Sequence, residues 1–271
     1  MEYVRTRNVE VPALGFGTAR FDSNDACRRA VEVALETGYR HIDTAQMYGT
    51  EGAVGAAISA SDVARDELFV TTKLDRGNRS YARVLDSTKR SLETLDIDAI
   101  DLLLIHSPND TVPLEQTIGA MNELQDTGVV RHVGVSNFSV DELRRAMDHS
   151  DRPILTNQVK YNPNYGQSDL LAFCIDEDVM LTAYSPLDVG RVAGDSTLSA
   201  IGNRHGKSAA QVALRWLLQQ ELVSAIPKAA NHDHIRENFD VFDFELTDDE
   251  MRQIFEKRGP LVDRLMTLLG L

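Results

Sequence analysis

Eight short apolar runs recur along the chain with room for a helix between successive runs, and this alternation constrains the fold more than any other feature. The runs are VPALGFG (11–17), HIDTA (41–45), LFVTTK (68–73), IDLLLIH (100–106), HVGVSN (132–137), ILTNQVKY (154–161), MLTAYSP (180–186) and VSAIPK (223–228). Each is rich in β-branched or apolar residues and too short for a typical helix. Continuous apolar runs suit strands buried on both faces, as in parallel sheets. Amphipathic stretches lie between them. DSNDACRRAVEVALETG (22–38) opens on capping residues and ends on Gly38. YARVLDSTKRSLETL (81–95), LEQTIGAMNELQDTG (114–128), SVDELRRAMDHS (139–150) and SAAQVALRWLLQQ (208–220) follow the same pattern. Ser139 and Glu142 have the spacing of a capping box. Strand candidates each followed by a helix candidate predict an α/β fold, a (β/α)₈ TIM barrel, and 271 residues suit its usual size. No linker-like or low-complexity stretch divides the chain, which predicts one domain over residues 1–271. A short N-terminal hairpin, made by the run at 11–17 and the polar stretch before it, is expected to close the barrel bottom. TDDEMRQIFEK (247–257) is expected as a C-terminal helical extension outside the repeat.

Acidic residues outnumber basic ones 42 to 28, for a formal net charge of −14. Such a surface repels nucleic acid and anionic membranes, so neither is an expected partner. No apolar run approaches membrane-spanning length, and the N-terminus MEYVRTRNVEV lacks the apolar core of a signal peptide. The expectation is a cytoplasmic protein, monomeric by default. Its acidity suits a salt-adapted origin and an ordinary acidic protein equally well. Cys27 and Cys174 have no metal or redox spacing and are expected as buried thiols, and the single Trp216 as core.

In a barrel of this type the active site lies at the C-terminal ends of the strands. The second run ends near Asp43 with Tyr48 just beyond, the third ends on Lys73, and the fourth on His106. Reducing a carbonyl needs a hydride on carbon and a proton on oxygen. Tyrosine, with a free pKa of about 10, is a poor acid, and an ammonium such as Lys73 beside it is expected to lower that value. Asp43 would fix Lys73, and His106 would hydrogen-bond the carbonyl oxygen. Alone, each residue has an ordinary structural explanation: an ion pair, a satisfied histidine, a rim aromatic. Together at strand ends they point to catalysis.

D-T-A-Q-M-Y-G at 43–49, T-T-K-L at 71–74 and L-I-H-S-P at 104–108 resemble the catalytic segments of the aldo-keto reductase family. G-V-S-N-F (134–138), Y-S-P-L (184–187), I-P-K (226–228), I-R-E-N-F (235–239) and F-E-L-T-D-D-E-M (244–251) extend the likeness in family order over essentially the whole chain. The resemblance implies an NAD(P)H-dependent reductase of small aldehydes and ketones, with direct hydride transfer and no metal. Asp43, Tyr48, Lys73 and His106 resemble the catalytic tetrad, Tyr48 being the general acid. Asp43 also borders the cofactor, and Gly17 and Thr18 are contacts suggested by the barrel-entry loop. Ser136, Asn137 and Gln158 resemble the residues that bind the nicotinamide carboxamide. Tyr184 resembles the ring that stacks on it, Ser185 and Leu187 the pyrophosphate contacts, Lys228 the lysine near the ribose phosphate, and Glu237 and Asn238 the adenosine contacts. Two departures weaken the grip on a 2′-phosphate. Ala229 stands where the family usually has Ser, and His234 where it often has Arg, a far better phosphate partner than neutral His. Lys228 and Arg236 are partial replacements. NADPH is the first expectation, and NADH the second. Ala19, Asp75 and Ser107 stand where many relatives carry Trp, so with Tyr48 and His106 they should line a polar pocket for small, hydroxylated or sugar-like carbonyls.

Other motifs carry less. GFGTAR (15–20) lacks the third glycine of a dinucleotide fingerprint, and GVSNF lacks the final glycine of a nucleophile elbow. His232 and His234 flank Asp233 without a further ligand cluster nearby in sequence, and no metal is expected. The alternative from another class is a barrel that senses a nicotinamide cofactor without turnover.

Overall fold

The computed structural model describes residues 1–109 and 111–257, so residues 258–271 of the expected domain lie outside the described residues. The chain opens on a hairpin, β1 (Tyr3–Thr6) antiparallel to β2 (Val9–Pro12). Arg7 and Asn8 form its two-residue turn, both with positive φ, as a tight hairpin requires. The run at 11–17 is therefore not one strand. It splits into the second hairpin strand and the first barrel strand, β3 (Phe16–Gly17). Thr6 Oγ1 donates to the Asp178 carbonyl at 2.7 Å, which seats the hairpin beside the start of β9 (Met180–Tyr184).

The other barrel strands are β4 (His41–Asp43), β5 (Phe69–Leu74), β6 (Ile100–Ile105), β7 (Val130–Ser136), β8 (Ile154–Lys160) and β10 (Val223–Ile226). Strands β3 to β10 pair in sequence order, all parallel. Gly15 N donates to Ala225 O at 2.8 Å and Ala225 N to Ala13 O at 2.9 Å, joining the first strand to the last. Every residue of β5 and β6 is buried, as continuous apolar runs predict for strands covered on both faces.

Helices cover the barrel. α1 (Asn24–Thr37), α3 (Tyr81–Leu95), α4 (Leu114–Asp126), α5 (Val140–Asp148), α8 (Ala209–Leu218) and α10 (Asp248–Glu256) match the amphipathic stretches. Ser23 caps α1, and Gly38 ends it at φ 118°, a conformation open to glycine. Both halves of the Ser139–Glu142 capping box form. Helices α2 (Glu51–Ala60), α6 (Ser168–Asp176), α7 (Ser196–His205) and α9 (His232–Phe239) fill the remaining intervals. Helix α2 has small apolar residues on all sides because it packs backbone to backbone: a Cβ on Gly55 would sit 2.3 Å from Leu95 O. Trp216, Cys27 and Cys174 are fully buried, and burial pushes the two thiols up to about 11 and about 12. Among the described residues, no helix is long and apolar enough to cross a membrane.

Candidate active site

Strand register gathers the polar groups. Asp43 lies opposite Thr71, and Lys73 is two residues further along β5 on the same face. Both side chains are buried, and Lys73 Nζ reaches Asp43 Oδ1 at 2.5 Å. The ammonium also donates to Thr44 O at 2.9 Å. The second Asp43 oxygen accepts from Gln158 Nε2 at 2.7 Å, across the barrel. Thr18, Thr44 and Thr50 link their hydroxyls beneath, and Thr18 Oγ1 donates to Asp43 O at 3.0 Å. The charged pair is thus desolvated yet hydrogen-bonded on both partners, the condition under which a buried pair is tolerated.

Tyr48, half-buried in a short turn after β4, lies with its ring centroid 5.1 Å from Lys73 Nζ. His106 meets the same ring edge-on at 5.6 Å. The expectation of a lowered Tyr48 pKa is not met: burial raises it, and Lys73 opposes that without reversing it. His106 is pushed down to about 4 by burial and by Lys73, so its imidazole is neutral at pH 7. Its Nδ1 is buried without a partner, which leaves Nε2 as the nitrogen facing the site.

Around this centre the strand ends are locked together. Ser136 Oγ and Asn137 N both donate to Gln158 O. Asn137, at φ 62°, donates from Nδ2 to His106 O and to Ser136 Oγ, each at 3.0 Å, and accepts from Tyr184 OH at 2.9 Å. The Tyr184 ring is thereby held half-buried at the rim. Ser185, Asp188 and Val189 in the following loop adopt positive φ, and Leu187 is partly buried there. Gly17 is anchored through its N–H to Pro227 O at 3.0 Å. Lys228 is exposed, its ammonium 4.4 Å from the Phe21 ring centroid. Ala229 is buried, and His234 is exposed in the first turn of α9. Glu237 and the buried Asn238 lie on that helix one turn further on. His232 and His234 gather no third acidic, thiol or imidazole group among the described residues.

On the other side of His106, Ala19 is partly buried beside the exposed Arg20, whose charge reaches Tyr48 and Tyr184. Asp75 N donates to Gln46 Oε1, and Gln46 also ties to Asn78 and Ser91. Arg79, buried in the same loop, donates to Ser107 O and Asp75 O. Gln46, Thr44, Thr50 and Arg79 were not singled out by sequence. Gln46 sits inside the D-T-A-Q segment, which was a signal; Arg79 lies in a loop and gave none.

A buried Asp–Lys pair beside a tyrosine and a neutral histidine, at the C-terminal rim of a parallel barrel, coincides with a family model. The model described as "Aldo/keto reductase family" matches residues 13–258. The chain belongs to the aldo/keto reductase family. A glyoxal reductase of Bacillus subtilis (strain 168) is 38% identical over 263 residues, 95% of each chain. A solved structure provisionally assigned as a 2,5-diketo-D-gluconic acid reductase B is 43% identical, with a TM-score of 0.93 over 96% of this chain and 92% of that one. An aldo-keto reductase of Bombyx mori, solved in complex with NADP, is 34% identical, with a TM-score of 0.89 over 96% of this chain and 94% of that one. As a family member this reductase is an oxidoreductase of small carbonyl compounds.

Proposed function

We propose that this reductase converts small, hydroxylated or sugar-like aldehydes and ketones to alcohols with NADPH as first cofactor and NADH as second, Tyr48 acting as general acid. The observation that carries the reading is the buried Asp43–Lys73 pair beside Tyr48, with neutral His106 on the same ring. The residues present suit a nicotinamide dinucleotide. Tyr184 offers a ring fixed by Asn137, and Lys228 offers an exposed ammonium with no carboxylate within ion-pair reach among the described residues. Ser136, Asn137 and Gln158 would hold the carboxamide, Ser185 and Leu187 the pyrophosphate, Lys228 the ribose phosphate, and Glu237 and Asn238 the adenosine. A bound reduced nicotinamide supplies the hydride.

The chain's own groups do the rest. His106 donates from Nε2 to the carbonyl oxygen and orients it; a neutral imidazole can do so without surrendering its proton. Tyr48 transfers its proton to that oxygen as the carbon gains the hydride, giving the alcohol. The resulting tyrosinate is stabilised by Lys73, and Asp43 holds Lys73 in place. Burial keeps the Tyr48 proton in place before the reaction, and the Lys73 field lowers the cost of releasing it.

The test is consumption of NADPH and of NADH, followed by absorbance, with a panel of small aldehydes, ketones and sugars. Turnover by wild type and its loss in Tyr48→Phe, with cofactor binding retained, is the expected result. Cofactor binding without turnover of any panel member would replace this reading with that of a sensor.

A further inference from the structure

We infer that the wall beside His106 is an anion subsite, so that the carbonyl compounds taken by this enzyme carry a carboxylate, as ω-oxo acids and uronic acids do. This rests on the reductase reading above and narrows it to a substrate class. Asp75 and Ser107, the two positions that make this wall polar, are joined by two arginines from the loop between β5 and α3. Arg79 donates from Nη2 to Ser107 O at 2.8 Å and from Nε to Asp75 O at 3.2 Å. Arg76, exposed, donates from Nε to Ser107 Oγ at 3.3 Å. Ser107 follows His106 directly, so both guanidinium groups stand one residue from the group that orients the carbonyl.

What marks Arg79 is burial without a counter-ion among the described residues; the exposed Arg76 shares the lack of an ion pair with other surface arginines such as Arg83 and Arg145. With 42 acidic residues to 28 basic ones, most of the described guanidinium groups in this protein find carboxylates, the buried Arg215 among them. Arg65 and Arg131 share Asp101, and Arg204 holds Glu250. Arg215, as buried as Arg79, pairs with Glu2 at 2.7 Å. Arg79 is 3% exposed, and neither it nor Arg76 has a carboxylate within ion-pair reach among the described residues. Buried charges are ordinarily paired, because an uncompensated one is costly. Among the described residues, Arg79 is held by two carbonyl oxygens alone. Its Nη1 donates to no described residue and, unlike Arg65 Nε or Arg215 Nε, is not sealed from solvent.

Among the described residues, the charges facing this wall are few. The Asp75 carboxylate acts on Arg79 and on His106 without pairing with either, and stands against two guanidinium charges. Lys73 adds a positive field at His106 that its partner Asp43 opposes, so the net positive charge of the wall comes from the two arginines. A planar guanidinium matches a carboxylate geometrically, and a local positive wall offsets the repulsion an anion meets from a surface of net charge −14. A short oxo acid can therefore place its carbonyl at His106 and Tyr48 and its carboxylate against Arg76 and the free edge of Arg79. The carboxylate passes through unchanged: the carbonyl gains a hydride and a proton while the nicotinamide is oxidised.

Matched substrate pairs test this: 4-oxobutanoate against butanal, and D-glucuronate against D-glucose, at low KCl. The expected result is a kcat/KM about tenfold or more higher for the anion, the worth of one charge-assisted contact. Arg76→Met should remove about tenfold of that preference through KM, and Arg76→Lys should restore part of it. A wild-type preference of one or less, or one that Arg76→Met leaves unmoved, overturns the inference. Succinate binding to the cofactor-loaded enzyme, read as a rise in melting temperature, separates the two readings. If no pair member is turned over, the reductase reading fails. The subsite then stands if succinate stabilises wild type and not Arg76→Met, and falls if it stabilises both or neither.

Discussion

His41 and His106 sit at opposite ends of the barrel and are buried enough to have the same shifted pKa of about 4. Each leaves Nδ1 without a partner. His41, at the start of β4, bonds Thr71 Oγ1 through Nε2 at 3.0 Å and meets Phe69 edge-on. It is sealed at 1% exposure. His106, after β6, meets Tyr48 instead and remains partly open. A single residue, Ile42, separates His41 from Asp43, yet the first fills the core and the second holds Lys73 at the open rim. The contrast shows that a polar group's role in a barrel is set by which end of the strand it occupies. At the closed end a neutral imidazole is packing; at the open end, on the function proposed above, it is placed to donate a hydrogen bond to substrate.

The largest test of that contrast is Lys73→Met. Turnover should fall by about 10²–10⁴, the usual worth of an assisted proton transfer. The residual rate should shift to higher pH, because Tyr48 would hold its proton more tightly. Near-normal kcat at pH 7 would place Lys73 with His41 as packing.

Stability against pH measures the likeness of the two histidines. Folded, both stay neutral down to about pH 4; unfolded, they take protons near pH 6.5. The unfolded state thus binds more protons between pH 6.5 and 4, so stability falls as pH is lowered through that window. Denaturant unfolding should show a loss on the order of 2–3 kcal/mol per imidazole across it. His106→Gln should remove one share of that slope and leave the His41 share. An unchanged slope would mean that His106 is not desolvated in solution.

The smallest expected effect concerns the far rim. His234→Arg should raise the preference for NADPH over NADH about tenfold, measured as the ratio of kcat/KM values, by adding one charge-assisted contact to the 2′-phosphate. No change would place the phosphate elsewhere than the first turn of α9.

Much of this was legible in sequence because it is local. Lys73 and His106 each close an apolar run and Asp43 lies near the end of one, and a strand end in a parallel barrel is an address. Capping residues fixed the ends of α1 and α5 for the same reason. Helices α2 and α6 were not legible, since small or apolar residues on most faces blur the helical period. Val11 to Gly17 is apolar throughout and so has the pattern of a single strand, although the chain leaves the hairpin after Pro12 to enter the barrel.

The sequence by itself determined the barrel, the strand ends and the four residues gathered there, because periodicity and position along a strand are properties of neighbours in the chain. Only the tertiary structure decided that Gln158 grips Asp43 from 115 residues away, that Arg79 is buried without a carboxylate partner among the described residues, and that burial outweighs Lys73 at Tyr48. Those outcomes depend on desolvation and on distances through space, which are fixed only when the barrel closes.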